Sequence, residues 1–336
     1  MRHPLLLLAI LSSCLVSASA FDLTLRQRVA SSESTNDFKM VFRSEEWNPA
    51  ETAVIVCDMW DLHHCLNATK RGKEMVPRMN AVLKAARDAG AMIIHAPSSC
   101  VDFYKDHPAR KRALAAPLAS NVPAGITDWL NWLDKREESA GYPIDATDGG
   151  EDDEAAAHAA WAEELKAKGR NPGAPWIRQA EGLEIDPEKD AITDHGVENW
   201  NVLEQHKIKN VVLLGVHLNM CVLGRPFGLR QMVKNGKNVV LMRDMTDTMY
   251  NPKMPPHVSH YHGTDLVVRH VESYVCPTIT SNQLLGGEPF HFNNDPRQHL
   301  VMLIAEKEYR TLETVPNFAE DALAKDFRLT VLSANP

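Results

Sequence analysis

The chain has 336 residues, of which 44% are apolar and 24% are charged, a composition typical of a globular protein and not of a fibrous or disordered one. Its formal net charge of −8 offers no basic surface to a phosphate backbone, which argues against nucleic acid as a partner. No two cysteines have the Cys-x-x-Cys spacing, so neither a zinc ribbon nor a thioredoxin-like redox motif is supported.

Residues 1–20 have the layout of a signal peptide. A short basic start precedes an apolar run at residues 5–16 and small residues at 17–20, which predicts export to the periplasm or beyond the cell. A lipoprotein anchored through Cys14 is the alternative. The apolar run is too short to span a bilayer as a mature helix, and no later segment is longer, so no integral membrane span is predicted. Removing the signal leaves five cysteines, an odd number that leaves at least one thiol unpaired.

The segments that follow alternate between strand and helix patterns. Residues 21–48 are polar with weak periodicity and predict an extended N-terminal arm. Continuous apolar stretches predict buried strands at residues 52–57, 91–95, 210–215, 238–242 and 278–280. Apolar residues at helical spacing predict helices at 74–90, 197–205, 227–234 and 265–274, the last capped by Thr264. Residues 49–290 are therefore predicted to form an α/β domain with a three-layer, doubly wound, mainly parallel sheet.

Residues 115–180 interrupt this alternation. The segment carries five prolines, an acidic run at 145–154 and an alanine-rich helix near 155–168, and it is too long for a simple crossover. It is therefore predicted to be an insertion beside the active face. The acidic run lacks the ligand spacing of an EF-hand, which favours a solvated loop over a calcium site.

Residues 295–336 form a tail with its own pattern. Strands at 299–304 and 328–332 flank a helix at 312–324, which predicts a β-α-β unit. Such a unit cannot bury both of its own faces. It is expected to dock on the main sheet or to belong to a truncated second domain.

Polar side chains follow several predicted strands. In parallel sheets, functional side chains commonly lie at the carboxyl ends of the strands. Cys221 lies between a strand and a helix, where backbone N–H groups and the helix dipole would lower the pKa of a thiol and favour a nucleophile. The alternative is a small buried hydrophobe. Asp58 directly follows a buried strand, where a carboxylate is costly unless it is paired or used; a cap or turn role is the alternative.

Two motifs resemble the isochorismatase-like cysteine hydrolases. Residues 53–60 resemble the family's first strand, which ends in the catalytic aspartate, here Asp58. Residues 211–222 resemble its strand followed by Gly-Val-x-x-x-x-Cys-Val, which carries the nucleophile, here Cys221. The resemblance extends from about residue 50 to 285.

That resemblance implies the further parts of an active site. A cis peptide is expected at Val216-His217, and backbone amides of His217, Met220 and Cys221 are expected to form an oxyanion hole. Trp60 is expected to line the substrate pocket. The partners implied are a small-molecule substrate and a second copy of the chain, as a homo-oligomer.

The chain departs from the family's lysine. That residue normally follows a short strand about thirty residues before the cysteine, but here Lys189 precedes the strand-like residues 191–193. If the strand is aligned, Asp194 takes the lysine's place in the substrate pocket. Lys189 and, from the insertion, Arg178 are the candidate cations, although a guanidinium cannot serve as an acid.

A divalent metal is an open alternative as cofactor. Nicotinamidases of the same family bind a metal beside the catalytic residues, and the resemblance makes His63, His95 and Asp61 candidate ligands, although the family's ligand spacing is not reproduced. Surface or hydrogen-bonded histidines are the alternative.

Three functions remain open at this point. The leading one is hydrolysis of a small amide, carbamoyl or related substrate through a Cys221 thioester. The second is a catalytically silent binding protein that kept the pocket and lost the lysine. The third is metal-assisted hydrolysis by Asp58 and histidines, in which Cys221 is secondary.

Overall fold

The computed structural model describes residues 20–30, 38–305 and 309–333. Nearly all of the predicted signal peptide, including Cys14, lies outside the described residues. The strands are β1 Phe21–Ala30, β2 Phe38–Trp47, β3 Thr52–Cys57, β4 Met92–Ala96, β5 Ala191–Ile192, β6 Asn210–Val216, β7 Asn238–Asp247, β8 Thr278–Ile279, β9 Gln298–Ile304 and β10 Phe327–Ser333. The helices are α1 Leu66–Ala89, α2 Pro108–Ala115, α3 Lys135–Ala140, α4 Ala155–Ala167, α5 Gly196–Gln205, α6 Leu229–Lys234, α7 His260–Tyr274, α8 Asn282–Leu285 and α9 Thr311–Phe318.

The central sheet has eight strands in the order β2-β1-β8-β7-β6-β3-β4-β5. Strands β3 to β8 pair in parallel, and β1 and β2 add an antiparallel edge. Alternate residues of β3 enter different apolar cores: Ala53 and Ile55 belong to one, Val54 and Val56 to the other. Both faces of the sheet are therefore covered, which confirms the three-layer, doubly wound α/β fold.

The segment predicted to be an extended arm is a β-hairpin. Strands β1 and β2 pair over their whole length, and Arg26 of β1 pairs with Thr278 of β8, which joins the hairpin to the edge of the sheet. The sequence signal is weak because one face is largely solvent-exposed; Leu23 and Leu25 of β1 are buried, whereas Val41 and Phe42 of β2 are exposed. An edge strand of this kind lacks a continuous apolar run.

Two helices begin earlier than their apolar periodicity predicts. Helix α1 begins at Leu66, because the Asp153 carboxylate accepts from the N–H groups of Leu66 and Asn67 at 2.7 and 2.8 Å. Helix α7 begins at His260, and its N-cap is Ser259, whose hydroxyl accepts from the backbone, where Thr264 was predicted. The group that caps α1 lies far along the chain, and the group that caps α7 precedes the residues with apolar periodicity. Periodicity alone therefore does not indicate either start.

The acidic run of the insertion is not a fully solvated loop. Asp153 caps α1, and Asp152 accepts from both terminal nitrogens of Arg71 at 2.7 and 3.1 Å. The side chains of these two aspartates are only 1% and 9% exposed, respectively. The prediction of solvation fails for this part of the run because its carboxylates fix the insertion to α1.

The tail forms a separate small sheet with β9 and β10 in parallel. It contacts the hairpin through ion pairs, in which Glu320 pairs with Arg28 at 2.8 Å and with Arg26 at 3.2 Å, and through α9, which lies against β2. Arg297 also pairs with Asp265 of α7 at 2.5 Å. The tail thus docks on the hairpin and on α7. No helix among the described residues is long and apolar enough to cross a membrane.

Candidate active site

Asp58 lies at the carboxyl edge of β3 and is completely buried. Its Oδ1 accepts from the Ser98 N–H, just beyond β4, at 2.7 Å. Asp58 has a φ of 45°, in the left-handed region that residues other than glycine rarely adopt. A strained, buried carboxylate at a strand end is a frequent feature of functional sites.

Arg225 supplies a cation that the sequence reasoning missed. Its Nε donates to Asp58 Oδ2 at 3.1 Å. The same guanidinium lies close enough to the Cys221 side chain for its positive charge to act on the pKa of the thiol. Arg225 follows Cys221 by four residues, and its N–H donates to the Cys221 carbonyl at 3.0 Å. The four-residue spacing, which puts two side chains on one face of a helical turn, is the signal that could have identified it.

Cys221 lies in a short turn of π-helix, Leu218–Val222, after β6. The thiol is 7% exposed and interacts with both Asp58 and Arg225, so the structure brings the predicted pair together. The peptide between Val216 and His217 is cis, as expected. Gly215 is required here, since its φ is 109° and a Cβ would lie 2.0 Å from the Cys57 carbonyl oxygen.

The environment of the thiol differs from the sequence expectation. Burial, followed by the negative charge of Asp58, raises the pKa of Cys221 well above its usual value, while Arg225 acts in the opposite direction. Burial also raises the pKa of Asp58, although Arg225 and Ser98 counteract it. The expected lowering of the thiol pKa by a helix start is not found, because burial outweighs it. Cys221 is therefore a protonated thiol at rest.

Part of the backbone predicted to form an oxyanion hole already makes hydrogen bonds within the turn. The N–H of Met220 donates to the carbonyl of His217 at 3.1 Å, and the N–H of Val222 donates to the same oxygen at 3.2 Å. The imidazole of His217 is buried, and burial lowers its pKa to about 4. A neutral ring therefore adjoins the cis peptide, and the Met220 amide is already engaged in the turn.

The two candidate cations lie away from Asp58 and Cys221. Lys189 is exposed, and its N–H is held by Asp186 in a surface turn. Arg178 pairs with Asp61 at 3.6 Å, and its guanidinium lies 5.9 Å from the Phe103 ring. Neither takes the place of the family's lysine.

Asp194, which takes the lysine's aligned position, accepts from the N–H of Ser99 at 2.8 Å. It therefore lies beside the loop that holds Asp58, since Ser98 N–H donates to Asp58. Trp60 is close by: its indole N–H donates to the Ser98 carbonyl at 3.0 Å, and its ring stacks on Trp176 at 4.5 Å. These residues form one wall beside Asp58.

The three predicted metal ligands have separate partners. Both ring nitrogens of His95 are engaged, by Gln179 at 2.8 Å and by Asp190 at 3.1 Å. Asp61 accepts from Arg170 at 2.9 Å, and His63 Nδ1 accepts from the Cys65 N–H at 3.1 Å. The structure does not bring the three together as a ligand set.

In the part of the chain that the structure describes, only Cys65, Asp152 and Asp153 place three potential ligand atoms within 4.8 Å of one another. Asp153 already caps α1 and Asp152 holds Arg71, so these groups have structural roles.

A second buried carboxylate lies at the same edge of the sheet. Asp247, at the end of β7, pairs with Arg71 at 2.7 Å and with His260 at 2.8 Å. Burial alone would raise the pKa of Asp247, but Arg71 and His260 hold it well below its usual range. The sequence predicts that this strand ends at residue 242, but β7 continues to Asp247, with a register shift opposite Gly215.

Two cavities, of about 620 and 280 Å³, adjoin the turn that carries Cys221. Both are lined by Tyr142 of the insertion and by Asn219 and Met220. Neither lining includes Cys221 itself, so the cavities flank the Asp58–Arg225–Cys221 cluster without containing it.

No family model matches the chain, and a search of curated proteins finds no match. Solved structures with a similar fold include a cysteine hydrolase from Pseudomonas syringae pv. phaseolicola, at 16% identity over 71% of this chain and 92% of that one, with a TM-score of 0.42. An isochorismatase family protein from Burkholderia thailandensis is 15% identical over 59% and 79%, with a TM-score of 0.30. An isochorismatase-like hydrolase from Alkaliphilus metalliredigens is 14% identical over 70% and 96%, with a TM-score of 0.36.

The chain is similar to the isochorismatase-like hydrolases. At these identities the similarity concerns the overall architecture and assigns no role to any residue. The roles of Asp58, Cys221 and Arg225 therefore depend on their contacts in this chain.

Proposed function

We propose that this protein is a cysteine hydrolase of small amides, carbamoyl compounds or related substrates, and that Cys221, Asp58 and Arg225 form its catalytic group. The observation that supports this is the ion pair of Arg225 with Asp58 at 3.1 Å, placed so that both charges act on the Cys221 thiol. A nucleophile, a base and a fixed charge within one buried cluster are what acyl transfer requires.

Asp58 serves first as the base. The Cys221 thiol gives its proton to Asp58 as its sulfur attacks the substrate carbonyl carbon, and the carbonyl oxygen becomes an oxyanion. The raised pKa of Asp58 suits it to hold this proton. The protonated Asp58 then donates to the leaving nitrogen, the C–N bond breaks, and a Cys221 thioester remains.

Water completes the cycle. Asp58, ionised again, takes a proton from water as the water oxygen attacks the thioester carbonyl, and the C–S bond breaks. The proton returns to the sulfur, and a carboxylic acid (carbamic acid from a carbamoyl substrate) is released. One molecule of water is consumed for each C–N bond broken.

Arg225 supplies the positive charge that a lysine provides in the family. A guanidinium remains charged at all physiological pH values, so it can stabilise the thiolate that forms during attack but cannot exchange protons with Asp58. The presence of this cation favours the enzyme over the silent binding protein, whose main argument was the missing lysine.

The test is turnover and trapping. The purified protein would be assayed on a panel of small amides and carbamoyl compounds with and without EDTA, beside Cys221→Ala and Arg225→Gln. A substrate-derived mass on the Cys221 peptide, lost in Cys221→Ala and insensitive to EDTA, is expected. Turnover that survives Cys221→Ala, or that EDTA abolishes, would favour metal-assisted hydrolysis; no turnover and no adduct on any compound would favour a binding protein.

We also propose that the protein is exported and self-associates. Residues 1–20 have the signal-peptide layout described above, and self-association is implied by the family resemblance. N-terminal sequencing of the protein from its native host would reveal cleavage after residue 20 or lipidation at Cys14. Light scattering would measure the mass in solution.

A further inference from the structure

The insertion reaches the catalytic cluster through Trp129 and Leu130. The indole of Trp129 lies over the Arg225 guanidinium, with 5.5 Å between the ring centroid and the guanidinium carbon. The adjacent Leu130 N–H donates to the Gly224 carbonyl at 2.9 Å. A side-chain contact and a backbone hydrogen bond therefore connect the insertion to Arg225 and Gly224, which follow the turn that carries Cys221.

Gly224 shows how closely the ring packs. A Cβ on Gly224 would lie 2.4 Å from Trp129 ring carbons, a distance that real contacts do not reach, so only glycine admits the ring at this place. The indole N–H also donates to the Asn131 side chain at 3.1 Å, which fixes the orientation of the ring. Although Trp129 is 42% exposed, its position is thus determined on two sides.

We propose that Trp129 is a positioning residue, which holds the Arg225 guanidinium in contact with both Asp58 and Cys221. Arg225 is 26% exposed, and the only charged partner at its Nε is Asp58 among the described residues. A long side chain held at one end can turn away from the thiol, and a ring packed on its planar face limits that freedom. This inference rests on the proposed function, because Arg225 matters only if Cys221 reacts.

The same insertion contains a matched pair for control. Trp132 lies over Arg230 at the same 5.5 Å, but Arg230 is fully buried and bound to Glu137 at 2.6 Å. The two tryptophans therefore make the same kind of contact with different arginines. Removing Trp132 disturbs the insertion without removing the ring over Arg225.

The test uses two alkylating probes of similar size, neutral iodoacetamide and anionic iodoacetate, with peptide mapping of Cys221. A cation held beside the sulfur favours the anion, so the iodoacetate-to-iodoacetamide rate ratio at Cys221 reports the position of the Arg225 charge. Trp129→Ala is expected to lower this ratio by about two- to fivefold, the size of an exposed cation–π contact. Trp129→Phe should retain most of it, and Trp132→Ala should match the wild type.

The outcomes separate this inference from the proposed function. A normal ratio in Trp129→Ala with a reduced ratio in Arg225→Gln would overturn the role of Trp129 and leave Arg225 as the cation. An unchanged ratio in Arg225→Gln as well would overturn both. An equal decrease in Trp132→Ala would show that general packing of the insertion is responsible, and would also overturn the inference. Circular dichroism of each variant would establish that it is folded.

Discussion

Two buried carboxylates lie at the same edge of the central sheet, Asp58 after β3 and Asp247 at the end of β7. Both are almost inaccessible to solvent, and burial alone would raise the pKa of each. Asp58 has one cationic partner, Arg225, and its pKa stays raised. Asp247 has Arg71 and His260, and its pKa is held well below its usual range. The charged and hydrogen-bonding partners of each carboxylate thus decide the direction in which its pKa is shifted.

This difference separates a catalytic role from a structural one. A carboxylate with a raised pKa can accept a proton from a thiol and return it to a leaving group. A carboxylate that is paired with a buried arginine and hydrogen-bonded to a histidine stays ionised and holds those two side chains in place. The inference for this chain is that Asp58 carries the chemistry, whereas Asp247 fixes α1 and α7 to the sheet through Arg71 and His260.

The largest expected effect is on turnover. Asp58→Asn removes the proton acceptor and should lower kcat/KM by about 10²- to 10⁴-fold, the usual contribution of general acid–base catalysis. Cys221→Ala should be at least as inactive, and Asp247→Asn should retain most of the activity of the folded protein. Steady-state kinetics on the best amide of the panel measure all three. If Asp58→Asn stays within a few-fold of wild type, Asp58 is not the base.

The second effect is on stability. Asp247→Asn removes a charged partner of the buried Arg71 and the carboxylate that His260 contacts, and should lower the free energy of unfolding by about 3 kcal/mol. Asp58→Asn should lower it much less, because the amide removes a carboxylate that burial disfavours. Urea denaturation at neutral pH gives both values, with the surface variant Glu51→Gln as a control near wild type. Equal losses of unfolding free energy in the two variants would contradict the assignment of a structural role to Asp247 and not to Asp58.

Several elements were predictable because their signals are local. The buried strands β3, β4, β6 and β7 are continuous apolar runs, and the cis peptide at Val216-His217 follows from a motif within a few residues of it. Asp58 and Cys221 meet because their strands, β3 and β6, are paired neighbours in a parallel sheet. Strand pattern and parallel topology therefore bring Asp58 and Cys221 together.

The features that the sequence did not predict depend on contacts between residues far apart in the chain, or on a cation that differs in type and position from the family's lysine. The start of α1 depends on Asp153, which lies 87 residues after Leu66 in the chain. The hairpin strand β1 is stabilised partly by the tail, through Glu320 on Arg28, 292 residues away. Arg225 was overlooked because the family pattern directs attention to a lysine before the cysteine and not to the turn after it.

The pH dependence of stability should have opposite signs for the two aspartates. An unfolded aspartate has a pKa of about 3.9. The lowered pKa of Asp247 contributes stability that is present above about pH 3.9 and is lost as the pH falls toward its folded value, so the advantage of wild type over Asp247→Asn should shrink on acidification. The raised pKa of Asp58 contributes stability that is fully present below about pH 3.9 and is lost as the pH rises through the folded pKa. The stability of wild type relative to Asp58→Asn should therefore increase on acidification. Urea titrations from about pH 7 to about pH 2 cover both windows and give the two slopes, and slopes of the same sign would contradict the comparison.

The smallest expected effects concern the cations that lie away from the cluster. Lys189 is exposed in a surface turn, and Arg178 pairs with Asp61, so neither charge is held beside the thiol as that of Arg225 is. Lys189→Ala and Arg178→Ala should change the rate of Cys221 alkylation by less than about twofold, since the Lys189 charge is exposed and screened by salt and the Arg178 charge is paired with Asp61. Arg225→Gln, measured beside them, should slow the reaction with iodoacetate severalfold. The measurement is repeated at low ionic strength, where screening is weakest and a distant charge would be most visible. A loss in Lys189→Ala or Arg178→Ala equal to that in Arg225→Gln would show that the surface cation folds into the site when the thiol reacts.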